Sequence, residues 1–197
     1  MSDLAKLTDL ASMISRDIPE CGPGLILIAL KEVAREFCIK TEAWRSELDP
    51  IDIVAEETAY DLRVKAEAAV HRLFLVEIDG VEIDPSLFAL SDNGWQIVLD
   101  DSIEPASAIT DGLVVTIVLR PFADCTEYDE WFLDRYAETI VAGTKSRLFF
   151  QRKTPWYDPD SAKRFDREYV TGRSLARRET YTKHTMAPLQ MRIRNWI

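Results

Sequence analysis

The hydrophobic pattern at the start of the chain predicts two helices. Apolar residues recur at helical spacing over residues 3–15, and a longer amphipathic stretch runs from about Gly24 to Thr41. Pro23 suits the first turn of this second helix, where a missing backbone N–H costs nothing. The apolar stripe of the second helix follows the spacing i, i+4, i+7, i+11 and i+18, on Ile26, Leu30, Val33, Phe37 and Trp44. That spacing keeps the stripe on one side of the helix, which we expect to be buried.

From Asp49-Pro50 to Pro121 the chain is β-rich. Three dipeptides in this region can supply the positive φ angles of a tight hairpin turn, and they are Asp79-Gly80, Asn93-Gly94 and Asp111-Gly112. Before the first turn, alternation with a period of two predicts one strand face composed of Val70, Arg72, Phe74, Val76 and Ile78. Residues 113–119 are apolar nearly throughout, which favours a central strand.

Helical spacing returns after Pro121. Asp124 and Glu127 fit a capping pair, in which two side chains satisfy free N–H groups at a helix start. The apolar stripe of this helix consists of Phe132, Tyr136, Ile140, Thr144 and Leu148. Gly143 lies inside the helix, where glycine costs about 1 kcal/mol relative to alanine. A close helix–helix crossing at Gly143 would explain that cost.

The last 44 residues predict a turn, a helix and an arm. The turn covers residues 154–159, and either Asp160 or Ser161 caps a helix that reaches about Lys183. The helix has a thin apolar stripe of Ala162, Phe165, Tyr169 and Ala176. Residues 185–197 have the alternating apolar and polar pattern of an extended segment.

Together these elements predict an α+β fold. We expect a mainly α-helical bundle interrupted by a small antiparallel β-subdomain, with an extended C-terminal arm. In this interpretation the N-terminal helices of the bundle occupy residues 1–48 and the β insert occupies residues 49–121. A further bundle helix occupies residues 122–153, and the basic C-terminal helix and arm occupy residues 154–197.

Charge is divided unevenly along the chain. Residues 1–144 contain 29 acidic and 11 basic side chains, whereas residues 145–197 contain 5 acidic and 13 basic ones. The net charges of −18 and +8 together give the −10 of the whole chain. Such an asymmetry concerns partners more than fold. It indicates an acidic body that carries a basic arm.

Several kinds of chemistry find no support in the sequence. Only two histidines are present, which excludes a histidine-rich metal centre, and the three cysteines form no Cys-x-x-Cys motif, so we expect reduced thiols and no cofactor or metal. Residues 143–146 resemble part of a phosphate-binding loop, but the required glycines are missing. The chain start lacks a signal-peptide pattern, and the longest apolar run, residues 25–30, is far shorter than the ~20 residues that span a bilayer. We therefore expect a soluble protein with no membrane partner.

Four segments carry small motifs in a characteristic order. They are residues 29–45 (ALKEVAREFCIKTEAWR), the Pro-ended strand at 113–121, residues 136–143 (YAETIVAG) and residues 154–158 (TPWYD). This set resembles the head-to-tail adaptor (connector) proteins of tailed bacteriophages, a family that includes the tail accessory factors of short-tailed phages. The resemblance covers most of residues 20–175.

The resemblance implies a non-enzymatic structural protein of the virion, at the head–tail junction, made in the host cytoplasm. Members of the family form a ring, commonly of twelve copies, beneath the portal protein. The ring extends the DNA channel and provides a docking platform for tail or nozzle proteins, and DNA passes through without specific binding. Family members usually engage the portal with a C-terminal helix and arm.

The basic helix and the arm are therefore the predicted site that binds the portal or a neighbouring subunit. Its predicted residues are Arg164, Arg167, Arg173, Arg177, Arg178, Lys183, Leu189, Met191, Ile193 and Trp196. Arginine can pair bidentately with carboxylates, and methionine and aromatic residues are enriched at interfaces. Two other hypotheses remain open at this point. One is a DNA-binding regulator that uses the basic helix, and the other is a hydrolase that uses a carboxylate pair, with Asp49, Asp52, Glu56, Glu57, Asp100 and Asp101 as candidates.

Overall fold

A computed structural model describes residues 4–64, 67–103 and 107–182. The helices are α1 (Ala11–Ser15), α2 (Pro23–Thr41), α3 (Glu130–Phe149) and α4 (Pro159–Thr182). The first five strands are β1 (Leu4–Lys6), β2 (Arg45–Glu47), β3 (Ile51–Ile53), β4 (Ala59–Asp61) and β5 (Ala68–Ile78). The others are β6 (Val81–Glu82), β7 (Phe88–Leu90), β8 (Gln96–Leu99), β9 (Ile109–Pro121) and β10 (Glu127–Asp129).

The prediction of a mainly helical bundle with a small β-subdomain is wrong. The described part of the chain is about 45% helical and 27% strand, and its strands form three antiparallel sheets. The largest sheet has β9 at its centre, with β2 and β3 on one side and β5 followed by β6 on the other. The second sheet has the order β4-β8-β7, and the third pairs β1 with β10. The prediction that residues 113–119 form a central strand is confirmed.

Two of the unpredicted strands explain much of the difference. β2 pairs with β9 at Arg45↔Val118, and β1 pairs with β10 at Leu4↔Asp129. Strands of three residues are too short to show periodicity, and each is stabilised by a partner that lies far away in the sequence. The predicted capping pair is also wrong, because Glu127 lies in β10 and α3 begins only at Glu130.

The turn dipeptides behave in three different ways. Asp79 and Gly80 have φ angles of 50° and 73° and join β5 to β6, as predicted. Gly94 has a φ of 74° and lies between β7 and β8. Asp111-Gly112 is not a hairpin turn, because it lies inside β9, where the register against β3 is irregular. The Asp111 N–H donates to Asp52 Oδ1 at 2.8 Å there, and Asp111 has a φ of 52°.

The predicted single face of β5 is wrong. The register between β5 and β9 shifts between Val70 and Arg72, and shifts again between Leu73 and Leu75. Because each irregularity adds a residue, the strict alternation is lost. Val70, Leu73 and Val76 are buried, whereas the Arg72 side chain is 47% exposed.

The predicted stripes of α2 and α3 are confirmed. All five stripe residues of α2 and all five of α3 are buried, with Trp44 just beyond the end of α2. Trp44 packs on Tyr128 and Phe132, with ring centroids 4.8 and 5.9 Å away, and its Nε1 donates to Asp129 Oδ2 at 2.9 Å. These contacts join the helices to the β1–β10 sheet. The three cysteines are buried and free of disulfide bonds.

Candidate partner-binding face of the C-terminal helix

The start of α4 is fixed by a side-chain cap. Asp158 Oδ1 accepts hydrogen bonds from the backbone N–H groups of Asp160 and Ser161, at 3.1 and 3.2 Å. Hydrogen bonds from Ser161 lower the pKa of the Asp158 carboxyl. The cap is therefore Asp158, and the prediction that Asp160 or Ser161 fills this role is wrong. A carboxylate at this position also interacts favourably with the positive end of the helix dipole.

One side of α4 packs tightly on α2 and α3. Ala162, Tyr169 and Ala176 are buried, and a Cβ at Gly172 would collide with the Thr139 side chain. Tyr169 contacts Gly143 closely, as the expected helix crossing requires. Burial raises the pKa of the Tyr169 hydroxyl to about 12. The helix is therefore part of the folded body.

Glu36 on α2 forms ion pairs with basic side chains of its own helix and of both neighbouring helices. Arg173 on α4 lies 3.3 Å from Glu36, Arg147 on α3 lies 3.2 Å away, and Lys40 lies 2.7 Å away. Arg147 also pairs with Glu32 at 2.6 Å. The Arg173 side chain is only 26% exposed, so this predicted site residue is engaged within the molecule.

Three other predicted arginines lie on the opposite side of α4. Arg164, Arg167 and Arg178 are exposed, and at 3.6 residues per turn their positions share one outward face with Thr171 and Ser174. Within the described ranges, none of the three has an ion pair. Arg167 Nε donates to the Lys163 carbonyl at 3.3 Å, within the same helix. We call Arg164, Arg167 and Arg178 the outer arginine face.

Arg177 lies between these two sides. Its guanidinium is 5.8 Å from the centre of the Tyr181 ring, and it lines a shallow depression together with Ile39 and Lys40 of α2. Five further predicted residues, namely Lys183, Leu189, Met191, Ile193 and Trp196, lie outside the described residues.

The C-terminal end of α4 is held by residues that the sequence did not single out. Arg45 of β2 donates from Nη2 to the Thr180 carbonyl at 3.1 Å, and its guanidinium carbon lies 3.3 Å from the centre of the Phe74 ring. Glu42 accepts from Arg72 at 2.7 Å and from the Tyr181 hydroxyl at 3.4 Å. Burial lowers the pKa of Arg45 to about 10, which is still high enough for a full charge near neutral pH. No local sequence pattern signals contacts between positions so far apart.

The candidate carboxylates are dispersed over the β-structure. Asp49, Asp52 and Glu57 line one open groove of about 400 Å³, whereas Asp100 lies elsewhere and accepts a hydrogen bond from the Ser102 N–H. Hydrogen bonds from Ser102 lower the pKa of Asp100, which is the opposite of the shift that a general acid needs. Within the described residues, no group of three or more histidine, cysteine or acidic side chains is arranged to hold a metal ion.

No family model matches the chain, and no curated protein matches it. In the part of the chain that the structure describes, no helix combines the length and apolar character needed to cross a bilayer.

Proposed function

We propose that this protein is a head-to-tail adaptor of a tailed bacteriophage, a structural ring subunit that binds the portal. The observation that carries the proposal is the outer arginine face of α4. Its three arginines share one outward face of a single helix and have no ion pair among the described residues, although carboxylates are abundant in a protein of net charge −10. Arginines that share one exposed face, with no carboxylate at ion-pair distance among the described residues, are well suited to bind carboxylates on a partner.

The packing of α4 supports the same proposal. Asp158 fixes the start of the helix, Arg173 fixes its middle, and Arg45 fixes its end. The outer arginine face is therefore presented on a rigid support, which lowers the conformational entropy that binding must overcome. The motif-bearing segments that resemble the adaptor family fall on α2, β9, α3 and the turn before α4.

Binding to purified portal rings tests the proposal. We expect the full chain to co-sediment with portal rings and to add a ring of density beneath them in electron micrographs. Reversal of the outer arginine face in the variant R164E/R167E/R178E should weaken this binding about tenfold, since three exposed charge pairs contribute about 0.2–1 kcal/mol each.

A matched variant separates the face from the overall charge. Arg16, Arg120 and Arg152 are exposed and have no ion pair among the described residues, so R16E/R120E/R152E changes the net charge equally at other places. This control should bind portal rings as the wild type does. If neither the wild type nor the control binds portal rings, the adaptor proposal is wrong.

DNA binding distinguishes the DNA-binding regulator. A regulator that reads DNA with α4 should bind duplex DNA with an affinity that falls steeply as salt rises, and the reversed variant should lose that binding. The adaptor should show little affinity for DNA at physiological salt, because its body is acidic. Tight, salt-sensitive DNA binding without portal binding would favour the regulator.

A further inference from the structure

An open groove lies along one edge of the largest sheet. β6 pairs with β5 at Glu77 and Ile78, and the Ile83 N–H that follows β6 donates to the Val76 carbonyl at 2.9 Å, but among the described residues no strand covers that edge of β5 from Ala69 to Leu73. β7 is the last strand of its own sheet, so its side away from β8 is also without a described strand. The two open edges border a groove of about 450 Å³, lined by His71, Arg72, Leu73, Phe74, Pro85, Phe88, Ala89 and Leu90.

The groove suits an extended segment with apolar side chains on one face. Its lining is mainly apolar, with Leu73, Phe88 and Leu90 among the contributors. Open strand edges present free N–H and C=O groups, and natural proteins usually cover them. Addition of a strand provides hydrogen bonds from the edge, while alternate side chains enter the groove.

The last helix ends beside this groove. The Thr180 carbonyl accepts from Arg45, whose guanidinium covers the ring of Phe74 in the groove wall. Tyr181 is connected to groove residue Arg72 through Glu42, which bonds both side chains. The C-terminal end of α4 is therefore separated from the groove by about the length of one side chain.

The residues that follow have the required length and pattern. Fifteen residues come after Thr182, and Leu189, Met191 and Ile193 alternate there with Gln190, Arg192 and Arg194. The seven Cα–Cα steps from Thr182 to Leu189 reach up to about 25 Å when extended, which is ample for a groove that begins next to Tyr181. In an added strand, the three apolar side chains would enter the groove and the two arginines would face solvent.

We propose that residues 188–194 of the same chain bind in this groove as an added β-strand in the free protein. The strand lies along the open edge of β5, with Leu189, Met191 and Ile193 directed toward Leu73 and Phe88. The protein thereby covers its own exposed sheet edge until a partner takes the segment. This proposal does not depend on the adaptor function, because it concerns the isolated chain.

Hydrogen exchange on full-length variants tests whether residues 188–194 occupy the groove. In L189S/M191S/I193S, the amides of residues 69–75 and 88–90 should exchange at least tenfold faster than in the wild type. The matched variant Q190S/R192S/R194S changes the alternate positions and should leave that exchange within about twofold, because those side chains face solvent. Equal exchange in the wild type and both variants would overturn the proposal.

Disulfide trapping gives a second, independent measurement. Leu90 lies on the same face of β7 as Phe88 and lines the groove, and the native thiols of Cys21, Cys38 and Cys125 are buried, so an engineered pair can be oxidised selectively. We expect L90C/M191C to form an intrachain disulfide at low protein concentration, whereas L90C/R192C should form it at least tenfold more slowly. An interchain product would show that a second copy supplies the strand, and no product at all would show that the groove is empty. Either result contradicts the proposal.

Discussion

Gly143 lies on α3 at a point where both α2 and α4 approach it closely. A Cβ at this position would lie 2.7 Å from Tyr169 Cδ2 and 2.8 Å from Val33 Cγ1. We predict that G143A lowers the free energy of unfolding by about 1–3 kcal/mol, because overpacking outweighs the better helix propensity of alanine. Urea unfolding of both proteins measures this. The control is G24A, where an added Cβ would meet no neighbouring part of the fold within 4 Å, and its stability should equal or slightly exceed that of the wild type.

A second prediction concerns a pair of charges beneath the turn before α4. Lys145 lies within α3 with its side chain only 10% exposed, and Asp17 lies 2.6 Å from its Nζ. We predict that D17N destabilises the fold by about 1–2 kcal/mol at neutral pH, because a largely buried ammonium loses its partner. This expected loss of stability is smaller than the loss for a fully buried ion pair, since the Asp17 side chain is 38% exposed. The variant D9N, at an exposed position with no ion pair among the described residues, should leave the stability unchanged.

The same pair has a defined pH dependence. The hydrogen bond from Lys145 lowers the pKa of Asp17 below its ordinary value of 3.8. The carboxylate therefore contributes stability that is fully present above the ordinary pKa and is lost as the pH falls through the lower folded pKa. The difference in the free energy of unfolding between the wild type and D17N, measured by urea unfolding, should fall from its value at neutral pH to nearly zero between pH 5 and pH 2. A difference that stays constant over this range would contradict the assignment.

Among the elements, the long helices could be predicted from the sequence and the short strands could not. The predicted stripes of α2 and α3 each consist of five buried residues, of which Trp44 lies just beyond the end of α2, so their periodicity reports burial directly. β2 and β10 have three residues each, and their conformation depends on pairing with β9 and β1. The local sequence pattern carries no information about such distant partners, so a prediction from it underestimates the β-structure.

The candidate site shows the same limit. The residue types alone predict that α4 is basic. The position of each arginine along the helix then separates those on the outward face from those on the inward face. Arg173 and Glu36 are 137 positions apart, so no sequence spacing could show that Arg173 is engaged within the molecule. Glu42 and Arg45 were likewise missed, because their partners lie on α4 and β5.

The attachment of the end of α4 to the β-structure leads to a prediction at the element scale. Arg45 Nη2 bonds the Thr180 carbonyl while Nε bonds the Glu42 carbonyl, at 3.1 and 3.2 Å. Lysine cannot reproduce both bonds or the planar contact with Phe74. R45K should therefore increase hydrogen exchange of the last turn of α4 about fivefold, since one such bond contributes about 1 kcal/mol. R120K at an exposed position should not change it, and equal exchange in both variants would rule out the anchoring role.

At the scale of the whole molecule, the negative charge is concentrated in the β-structure. Residues 46–129 contain 19 acidic and 4 basic side chains. The ion pairs of the helices, such as those around Glu36, are made mostly within α2, α3 and α4. Four cations can neutralise only a few of the 19 carboxylates, so the folded state holds many like charges close together. Folding thus proceeds against repulsion that the core has to offset.

Added salt should therefore stabilise this protein. Between about 0.01 M and 0.15 M NaCl the Debye length falls from about 30 Å to about 8 Å, which screens the repulsion among exposed carboxylates. We predict a rise in Tm of about 3–6 °C over this range, corresponding to about 1–2 kcal/mol. The variant E57Q/E82Q/D92N neutralises three exposed carboxylates and should be more stable at low salt and gain less from added salt. R63Q/R120Q removes two exposed cations from the same region and should show the opposite change, with lower stability at low salt and a larger gain. A Tm that falls as salt is added would mean that attractive ion pairs, such as those around Glu36, dominate over the repulsion within the β-structure.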